Sequence, residues 1–348
     1  MNRAQLKHYH YELPPELIRR KGVEPRDSAR LFVYDTRTDT VTFDTFAHLA
    51  EYLAPRSLMV QNDTRVLPAR LWLKKETGGK IEVLVLANEI VDEGRIPVLV
   101  DRKVTLGQKL FFPNGTYFEV VDQAENIFTV RLSPDVDLIA LLNQFGETPL
   151  PHYLEGADTP ETELRQRYQT VFAREGASVA APTASLHFTD RVFVSLGDRE
   201  IETVRLTLNV GLGTFAPLRE EHFVSGRLHT EYGEVSLATA RAINQAREAE
   251  RPIIAVGTTV ARTLEAFGKK GSMESGSGKT DIFIFPPYQF QMVDTLITNF
   301  HLPETSLMLL VDAFLRHKGA KRDIMALYDI AIRERFSFYS FGDSMLIL

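Results

Sequence analysis

The stretch RPIIAVGTTVARTLEAF, residues 251–267, determines the fold class of this 348-residue chain. Its first half contains a continuous apolar run, which is typical of a strand that is buried on both faces. Gly257 follows, and residues 258–267 have the spacing of a helix. A buried strand that runs directly into a helix is the building unit of α/β proteins.

The same alternation continues outward from this stretch in both directions. Strands are predicted for 31–35, 41–46, 201–211, 280–288 and 293–303, with an aromatic strand in 336–348, and helices for 46–53, 137–145, 159–176, 236–250 and 304–317. Thr159 or Thr162 is the expected cap of the helix at 159–176, and Gly176 its end. Residues 273–279, MESGSGK, are predicted to form a loop. Strand–helix alternation of this kind predicts a mainly parallel sheet covered by helices.

One segment departs from this pattern. Between residues 69 and 132 the apolar period is two almost throughout, and turn residues such as Gly78-Gly79 and Pro113-Asn114-Gly115 separate the runs. Short strands at this spacing favour a small antiparallel barrel or sandwich. We therefore predict an α/β protein with a large discontinuous α/β domain, residues 1–65 and 150–348, and an antiparallel β-barrel domain inserted at 66–149.

Composition limits the possible functions. The chain contains no cysteine, which excludes disulfides, thiolate catalysis and cysteine-ligated metal centres. No apolar run is long enough to span a membrane, and the polar N-terminus has no signal-peptide pattern, so we expect a cytoplasmic protein. The net charge of −6 argues against a general nucleic-acid coat protein. A local basic cluster could still be a solvated face or a nucleic-acid contact, and its members are Arg65, Arg70, Lys74, Lys75 and Lys80.

A second unusual stretch is ASVAAPTASLHF, residues 177–188. Pro182 stops any helix or ladder, and an extended backbone after it would place Thr183, Ser185 and His187 on one side. Small residues followed by such a triplet could hold a ligand closely. A tight buried crossing with a satisfied histidine would give the same pattern.

Polar groups also stand where other predicted strands end. Gly257-Thr258-Thr259, with Arg262 one turn on, could form an anion cradle, although Thr258 could equally be an ordinary helix cap. His229 and Glu231 would share one face of an extended strand, as a proton-transfer pair or a metal site; without a recognised ligand spacing, we expect no metal. Ligands bind at strand ends in α/β sheets. The other candidate residues at predicted strand ends are Asn62, Asp63, Gly211, Gly213, Thr214, Asn299 and His301.

Eight strings of this sequence, in order, resemble one known family. They are NDTRVLPARL (62–71), GGKIEVLVL (78–86), YQTVFA (168–173), VAAPTASLHF (179–188), VGLGTFAPL (210–218), LHTEYGEV (228–235), VGTT (256–259) and ITNFHLP (297–303). The chain is similar from about Tyr11 to its C-terminus to the S-adenosylmethionine:tRNA ribosyltransferase-isomerase family of queuosine biosynthesis.

The resemblance implies an enzyme without metal or cofactor in which S-adenosylmethionine is a substrate. Its ribosyl part goes to the aminomethyl group of 7-aminomethyl-7-deazaguanine at the wobble position of tRNA, and epoxyqueuosine-tRNA, adenine and methionine are formed. No membrane is involved, and we expect a monomer. On this interpretation the candidate catalytic residues are Asp63, His187, His229, Glu231 and His301. The candidate substrate-binding residues are Asn62, Arg65, Thr183, Ser185, Gly211, Gly213, Thr214, Thr258, Thr259, Arg262 and Asn299, and the tRNA-binding ones are Arg70, Lys74, Lys75 and Lys80.

The chain also differs from the family at several positions. Ser185 replaces a usual glycine, Asn209 a usual histidine, Val260-Ala261 a Ser-Val pair, and Pro287 a glycine. Two other functions therefore stay open: a divergent paralogue that uses S-adenosylmethionine on another acceptor, and a non-catalytic tRNA- or nucleotide-binding protein on the same fold.

Overall fold

The structure is a computed structural model that describes residues 3–89, 94–154, 159–174, 176–211 and 218–348. Its strands are β1 Arg30–Asp35, β2 Thr40–Thr45, β3 Leu58–Asn62, β4 Arg70–Lys75, β5 Lys80–Val85, β6 Ile96–Val100, β7 Lys109–Phe111, β8 Tyr117–Ala124, β9 Ile127–Leu132, β10 Glu202–Asn209, β11 Arg227–Val235, β12 Ile253–Val256, β13 Gly268–Lys269, β14 Ser272–Met273, β15 Gly276–Ile282, β16 Thr295–Asn299 and β17 Ser344–Ile347. Its α-helices are α1 Arg3–Leu6, α2 Leu49–Tyr52, α3 Leu138–Phe145, α4 Glu161–Arg167, α5 Asp190–Asp198, α6 Glu220–Ser225, α7 Leu237–Glu248, α8 Thr258–Phe267, α9 Ser306–His317 and α10 Ile324–Arg333.

The large domain is built on a nine-stranded sheet in the order β15-β11-β10-β3-β12-β16-β17-β1-β2. Alternate residues of its central strands enter two different cores. In β12, Ile253 and Ala255 pack with α7 to α10, whereas Ile254 and Val256 pack with α2 and α5. The sheet is therefore the middle layer between two helical layers, as the α/β prediction requires.

The sheet is more mixed than the sequence predicts. The four central strands β10, β3, β12 and β16 are parallel, but β2, β11, β15 and β17 each make an antiparallel pair. The C-terminal strand β17 lies between β16 and β1, parallel to β1 and antiparallel to β16. The prediction of a mainly parallel sheet is wrong. Whether a strand is parallel to its neighbours depends on where the chain returns to the sheet, and the local apolar pattern does not contain that information.

The inserted segment forms a closed six-stranded barrel in the order β4-β5-β6-β9-β8-β7, and each of its strand pairs is antiparallel. Inward residues alternate along its strands, as in Leu71 and Leu73 of β4, and fill the interior with apolar side chains. The predicted barrel is confirmed.

The chain enters and leaves the barrel at one point. The backbone of Arg70 exchanges two hydrogen bonds with that of Glu147, at 3.2 and 2.7 Å. Gly146 lies so close to the carbonyl oxygen of Pro68 that a Cβ there would be 1.8 Å from it. Only glycine allows this approach.

Four local predictions fail. The strand predicted for 280–288 ends at Ile282. Helix α4 ends at Arg167 rather than Gly176 and has no side-chain cap, so neither Thr159 nor Thr162 caps it. The predicted loop at 273–279 is partly strand, because β15 starts at Gly276 and pairs along the exposed edge of β11. At the C-terminus, β17 is four residues long and the aromatic residues before it lie outside any strand.

Candidate functional site

A cleft opens at the carboxyl ends of β12 and β16, the position where α/β sheets bind ligands. It encloses about 690 Å³ when its open mouth is included. Three segments form most of it: residues 180–184, 257–259 and 298–302. These are parts of the strings VAAPTASLHF, VGTT and ITNFHLP.

The first wall of the cleft is the N-terminus of α8. Gly257 adopts a φ of +91°, which favours glycine and turns the chain from β12 into the helix. Thr258 and Thr259 follow and line the cleft, and no side chain caps the helix. Among the described residues, Thr259 Oγ1 is buried without a hydrogen-bond partner. This wall therefore offers free donors.

The second wall is the end of β16. His301 Nε2 lies 2.8 Å from Thr298 Oγ1, the Tyr328 hydroxyl accepts from the His301 backbone N–H, and the Tyr11 hydroxyl donates to the His301 carbonyl. Burial lowers the pKa of His301 to about 3, so the imidazole is neutral at neutral pH. Asn299 accepts a 2.8 Å hydrogen bond from Thr183 Oγ1 and thereby joins the second wall to the third.

The third wall, residues 180–184, leads into a turn that the sequence did not predict. Residues Thr183–His187 form a 3₁₀ helix rather than extended backbone, so alternate residues do not share a side. Thr183 lines the cleft, but Ser185 and His187 are absent from its lining. The expected common face is wrong, because a 3₁₀ turn places residues three apart in line.

His187 and Ser185 are instead buried behind this turn. The His187 ring packs on Phe46 at 5.1 Å, and its Nε2 lies 3.5 Å from the Asn299 amide nitrogen. Burial lowers the pKa of His187 to about 4. Ser185 is fully buried, and its hydroxyl has no hydrogen-bond partner among the described residues. Both positions fit the alternative of a tight crossing.

His229 and Glu231 also lie apart. A β-bulge interrupts β11 between Arg227 and Glu231, so His229 is exposed whereas Glu231 is buried. The expected shared face is therefore wrong. The His229 ring lies 5.4 Å from that of His222, outside the cleft.

Glu231 makes a buried ion pair with a residue of α8. Its Oε2 lies 2.7 Å from Arg262 Nη2, and the two side chains are 3% and 8% exposed. The other carboxylate oxygen accepts from the backbone N–H of Gly211 at 3.2 Å. This arrangement fixes the end of the segment that follows β10 against α8. The predicted site residues Gly213 and Thr214 lie outside the described residues.

The polar residues at and just after the end of β3 connect strands rather than line the cleft. The Asn62 side chain exchanges two 3.0 Å hydrogen bonds with the backbone of Leu208 in β10. Asp63 accepts a 2.7 Å bond from Thr207 Oγ1, and burial raises the pKa of its carboxyl group. Arg65 is exposed, away from the lining of the cleft.

The basic cluster divides into members that are engaged within the protein and members that are exposed. Arg70 is 3.4 Å from Glu82 and donates to the Leu150 carbonyl, so it is engaged within the protein. Lys75 donates to the Lys103 carbonyl. Lys74 and Lys80 are exposed neighbours on β4 and β5. Beside them the exposed Trp72 ring lies under Lys80 Nζ at 4.2 Å.

Sequence reasoning missed several residues that line the cleft. The rings of Tyr153 and Tyr339 lie in a tilted contact with centroids 4.9 Å apart, and the Tyr153 hydroxyl lies 2.7 Å from Ser340 Oγ. Thr298 was also missed. The aromatic string FSFYSF at 336–341 is a usable signal for Tyr339 and Ser340, but the same alternation also predicts a strand.

The positions at which a departure from the family pattern is expected from the sequence lie outside the cleft lining. Val260 and Ala261 belong to α8 and are fully buried in the core. Asn209 accepts from Thr64 Oγ1 at 2.8 Å and supports the end of β10. Pro287 borders a separate surface pocket beside Tyr9. None of these four positions contributes to the cleft lining.

Two further properties concern the described ranges. No helix there is long and apolar enough to cross a lipid bilayer. No group of three or more histidine, aspartate and glutamate side chains there is arranged to hold a metal ion.

Comparison with known proteins gives a consistent result. A family model described as "Queuosine biosynthesis protein" matches residues 6–347. The chain is 42% identical over 346 residues to the S-adenosylmethionine:tRNA ribosyltransferase-isomerase of Carboxydothermus hydrogenoformans, which covers 99% of this chain and 100% of that one. The corresponding enzyme of Thermotoga maritima is 40% identical over 347 residues, with 99% and 100% covered. A crystal structure of S-adenosylmethionine tRNA ribosyltransferase from Thermotoga maritima is similar with a TM-score of 0.55 and 32% identity, over 98% of this chain and 99% of that one.

Proposed function

The chain belongs to the family of queuosine biosynthesis proteins, and we propose that it is an S-adenosylmethionine:tRNA ribosyltransferase-isomerase. The acceptor is a tRNA whose wobble base is 7-aminomethyl-7-deazaguanine. The enzyme moves the ribosyl part of S-adenosylmethionine to the aminomethyl nitrogen and releases adenine and methionine. The observation that supports this most strongly is the convergence of three family-like strings, 180–184, 257–259 and 298–302, on one cleft.

The cleft suits the donor chemically. Its described lining contains no aspartate, glutamate, lysine or arginine and combines apolar walls with hydroxyl groups. The sulfonium of S-adenosylmethionine acidifies the C5′ protons, so a positioned base can begin the reaction. Of the predicted proton carriers in the described chain, His301 lines the cleft, which makes it our first candidate for proton transfer.

The other predicted roles change with the structure. His187 is buried behind the 3₁₀ turn and His229 is exposed outside the cleft, so we assign proton transfer to neither. Glu231 and Arg262 position α8 and the segment after Gly211 through their ion pair. Thr183, Thr258, Thr259 and Asn299 remain candidate donor-binding residues.

For tRNA we propose the outer face of β4 and β5. Lys74 and Lys80 supply positive charge there, and Trp72 supplies an exposed aromatic ring, a combination that binds phosphates and bases. Arg70 and Lys75 are engaged within the protein. The domain boundaries at 65/66 and 149/150, a monomeric state, a cytoplasmic location and independence from cofactors are also part of this proposal.

Adenine release tests the function directly. S-adenosylmethionine is incubated with the enzyme alone, with unmodified tRNA, and with tRNA that carries 7-aminomethyl-7-deazaguanine. We expect adenine only with the last. Release with another acceptor would indicate a paralogue of different specificity, and no release with tRNA binding retained would indicate a non-catalytic binding protein.

A further inference from the structure

The N-terminus of α8 lies at the cleft, and no side chain caps it. The first N–H groups of any helix lack an intrahelical acceptor. The helix α9 also borders the cleft, and there the Thr305 side chain caps the helix by accepting a hydrogen bond from the Met308 N–H. At α8 the N-cap is Gly257, which has no side chain to do so. The donors of α8 therefore face the cleft without a cap.

A second observation points to a ligand at the same place. Thr259 is 7% exposed and lines the cleft, and its Oγ1 has no hydrogen-bond partner among the described residues. A buried hydroxyl without a partner is costly in a folded protein. Gly257 leaves the approach open, since a Cβ built there would stand 3.6 Å from Thr259 Oγ1. The unpartnered hydroxyl and the uncapped N–H groups thus belong to the same first turn of α8 at the cleft.

These hydrogen-bond donors favour an anionic ligand. The positive end of the α8 dipole lies in a wall without a charged side chain, and the first turn of α8 contains no acidic residue. The proposed donor, S-adenosylmethionine, carries a carboxylate on its methionyl tail. We therefore infer that the α8 N-terminus and Thr259 bind that carboxylate. This inference rests on the proposed function. The adenosine part then occupies the apolar remainder of the cleft.

A tRNA phosphate has the same anionic chemistry and is the alternative source. A carboxylate at the end of an aliphatic tail reaches a donor that is 93% buried more easily than a phosphate that carries a ribose on each side. The donor carboxylate is therefore the better fit, and the two sources predict different kinetics.

The test uses Thr259→Val, which keeps the shape and removes the hydroxyl. The matched control is Thr263→Val in the same helix, because Thr263 is fully buried and donates to the Thr259 carbonyl. For each enzyme, adenine release with modified tRNA gives kcat/KM for S-adenosylmethionine, and competition gives Ki for decarboxylated S-adenosylmethionine. Thermal denaturation shows that each variant is folded.

We expect Thr259→Val to lower kcat/KM for S-adenosylmethionine by about 10- to 100-fold, the range for a lost hydrogen bond to a charged group. The Ki of the decarboxylated analogue should change by less than about two-fold, and Thr263→Val should leave both values unchanged. Equal losses for donor and analogue, or no loss for the donor, would overturn the assignment. A raised KM for tRNA with a smaller salt dependence would assign the site to a phosphate. A wild-type chain that releases no adenine overturns the proposed function itself.

Discussion

Individual residues show how burial decides between chemical and structural roles. Glu231 and Arg262 both resemble ligand-binding groups in the sequence, yet each neutralises the other inside the protein. Removing one member of a buried ion pair leaves an uncompensated charge, which costs about 3–5 kcal/mol.

We expect Glu231→Gln to lower the free energy of unfolding by about 3 kcal/mol, measured by urea denaturation. The control is the double variant Glu231→Leu, Arg262→Met, which removes both charges and should be more stable than Glu231→Gln. A fully stable Glu231→Gln enzyme with a much reduced kcat would contradict this and return Glu231 to a catalytic role.

The histidines predict a pH dependence of stability. Burial lowers the pKa of His187 to about 4, below its ordinary value near 6.5. The folded state therefore binds its proton less readily than the unfolded state, and the stability from the neutral ring is present above pH 6.5 and lost as pH falls toward 4. His301 acts in the same direction. Asp63 has the opposite effect on the pH dependence of stability, because burial raises the pKa of its carboxyl group. Each variant must therefore be compared with the wild type at the same pH.

We expect His187→Gln to reduce the loss of unfolding free energy between pH 6.5 and 5 by about 1–2 kcal/mol, measured by denaturation at each pH. His48→Gln is the opposite control. His48 is paired with Asp44, which raises the pKa of His48, so its stabilisation is present at low pH and lost as pH rises. An unchanged pH profile for His187→Gln would show that His187 titrates normally.

At the scale of elements, the sequence predicts most strands and helices but not their local exceptions. The α8 helix was predicted with both ends correct, since Gly257 and the apolar spacing are local signals. The 3₁₀ turn at Thr183–His187 and the bulge in β11 were missed. Both arise from packing against distant segments, such as the hydrogen bond between Thr183 and Asn299, and a local pattern does not contain that information.

The turn yields a prediction for Ser185. Its hydroxyl is fully buried and unpartnered within the described chain, so its removal should not weaken the fold. We expect Ser185→Ala to raise the free energy of unfolding by about 1 kcal/mol and to leave KM for S-adenosylmethionine unchanged, because Ser185 is absent from the cleft lining. A changed KM for S-adenosylmethionine would mean that Ser185 contacts this substrate, as the predicted extended backbone requires.

At the scale of the whole molecule, the barrel and the α/β layers were predictable but the path of the sheet was not. Period-two alternation over residues 69–132 was sufficient for the barrel. The insertion of β17 between β16 and β1 depends on where the C-terminus returns, which no window of sequence shows. The cleft was predictable in part, because two of its three main segments, 257–259 and 298–302, stand at strand ends. Tyr153 and Tyr339 reach it only through the tertiary fold.

The barrel surface predicts a salt effect. If Lys74 and Lys80 bind phosphates, the double variant Lys74→Ala, Lys80→Ala should reduce the slope of log affinity against log salt for tRNA by about 1 for each lysine that neutralises a phosphate. The charge-matched control is Lys270→Ala, Lys321→Ala, two exposed lysines outside the barrel. Equal slopes for the two double variants would show that Lys74 and Lys80 belong to an ordinary solvated face.

The hydrogen-bonded pair of Arg70 and Glu147 has a consequence for the history of such chains. The chain passes from the sheet to the barrel and back again at this pair. The barrel is therefore an insertion whose two ends are adjacent. Insertions whose two ends are adjacent are those that a host domain tolerates. A single recombination at this junction could therefore add, remove or exchange the barrel as a cassette, while the strands that carry the cleft keep their register.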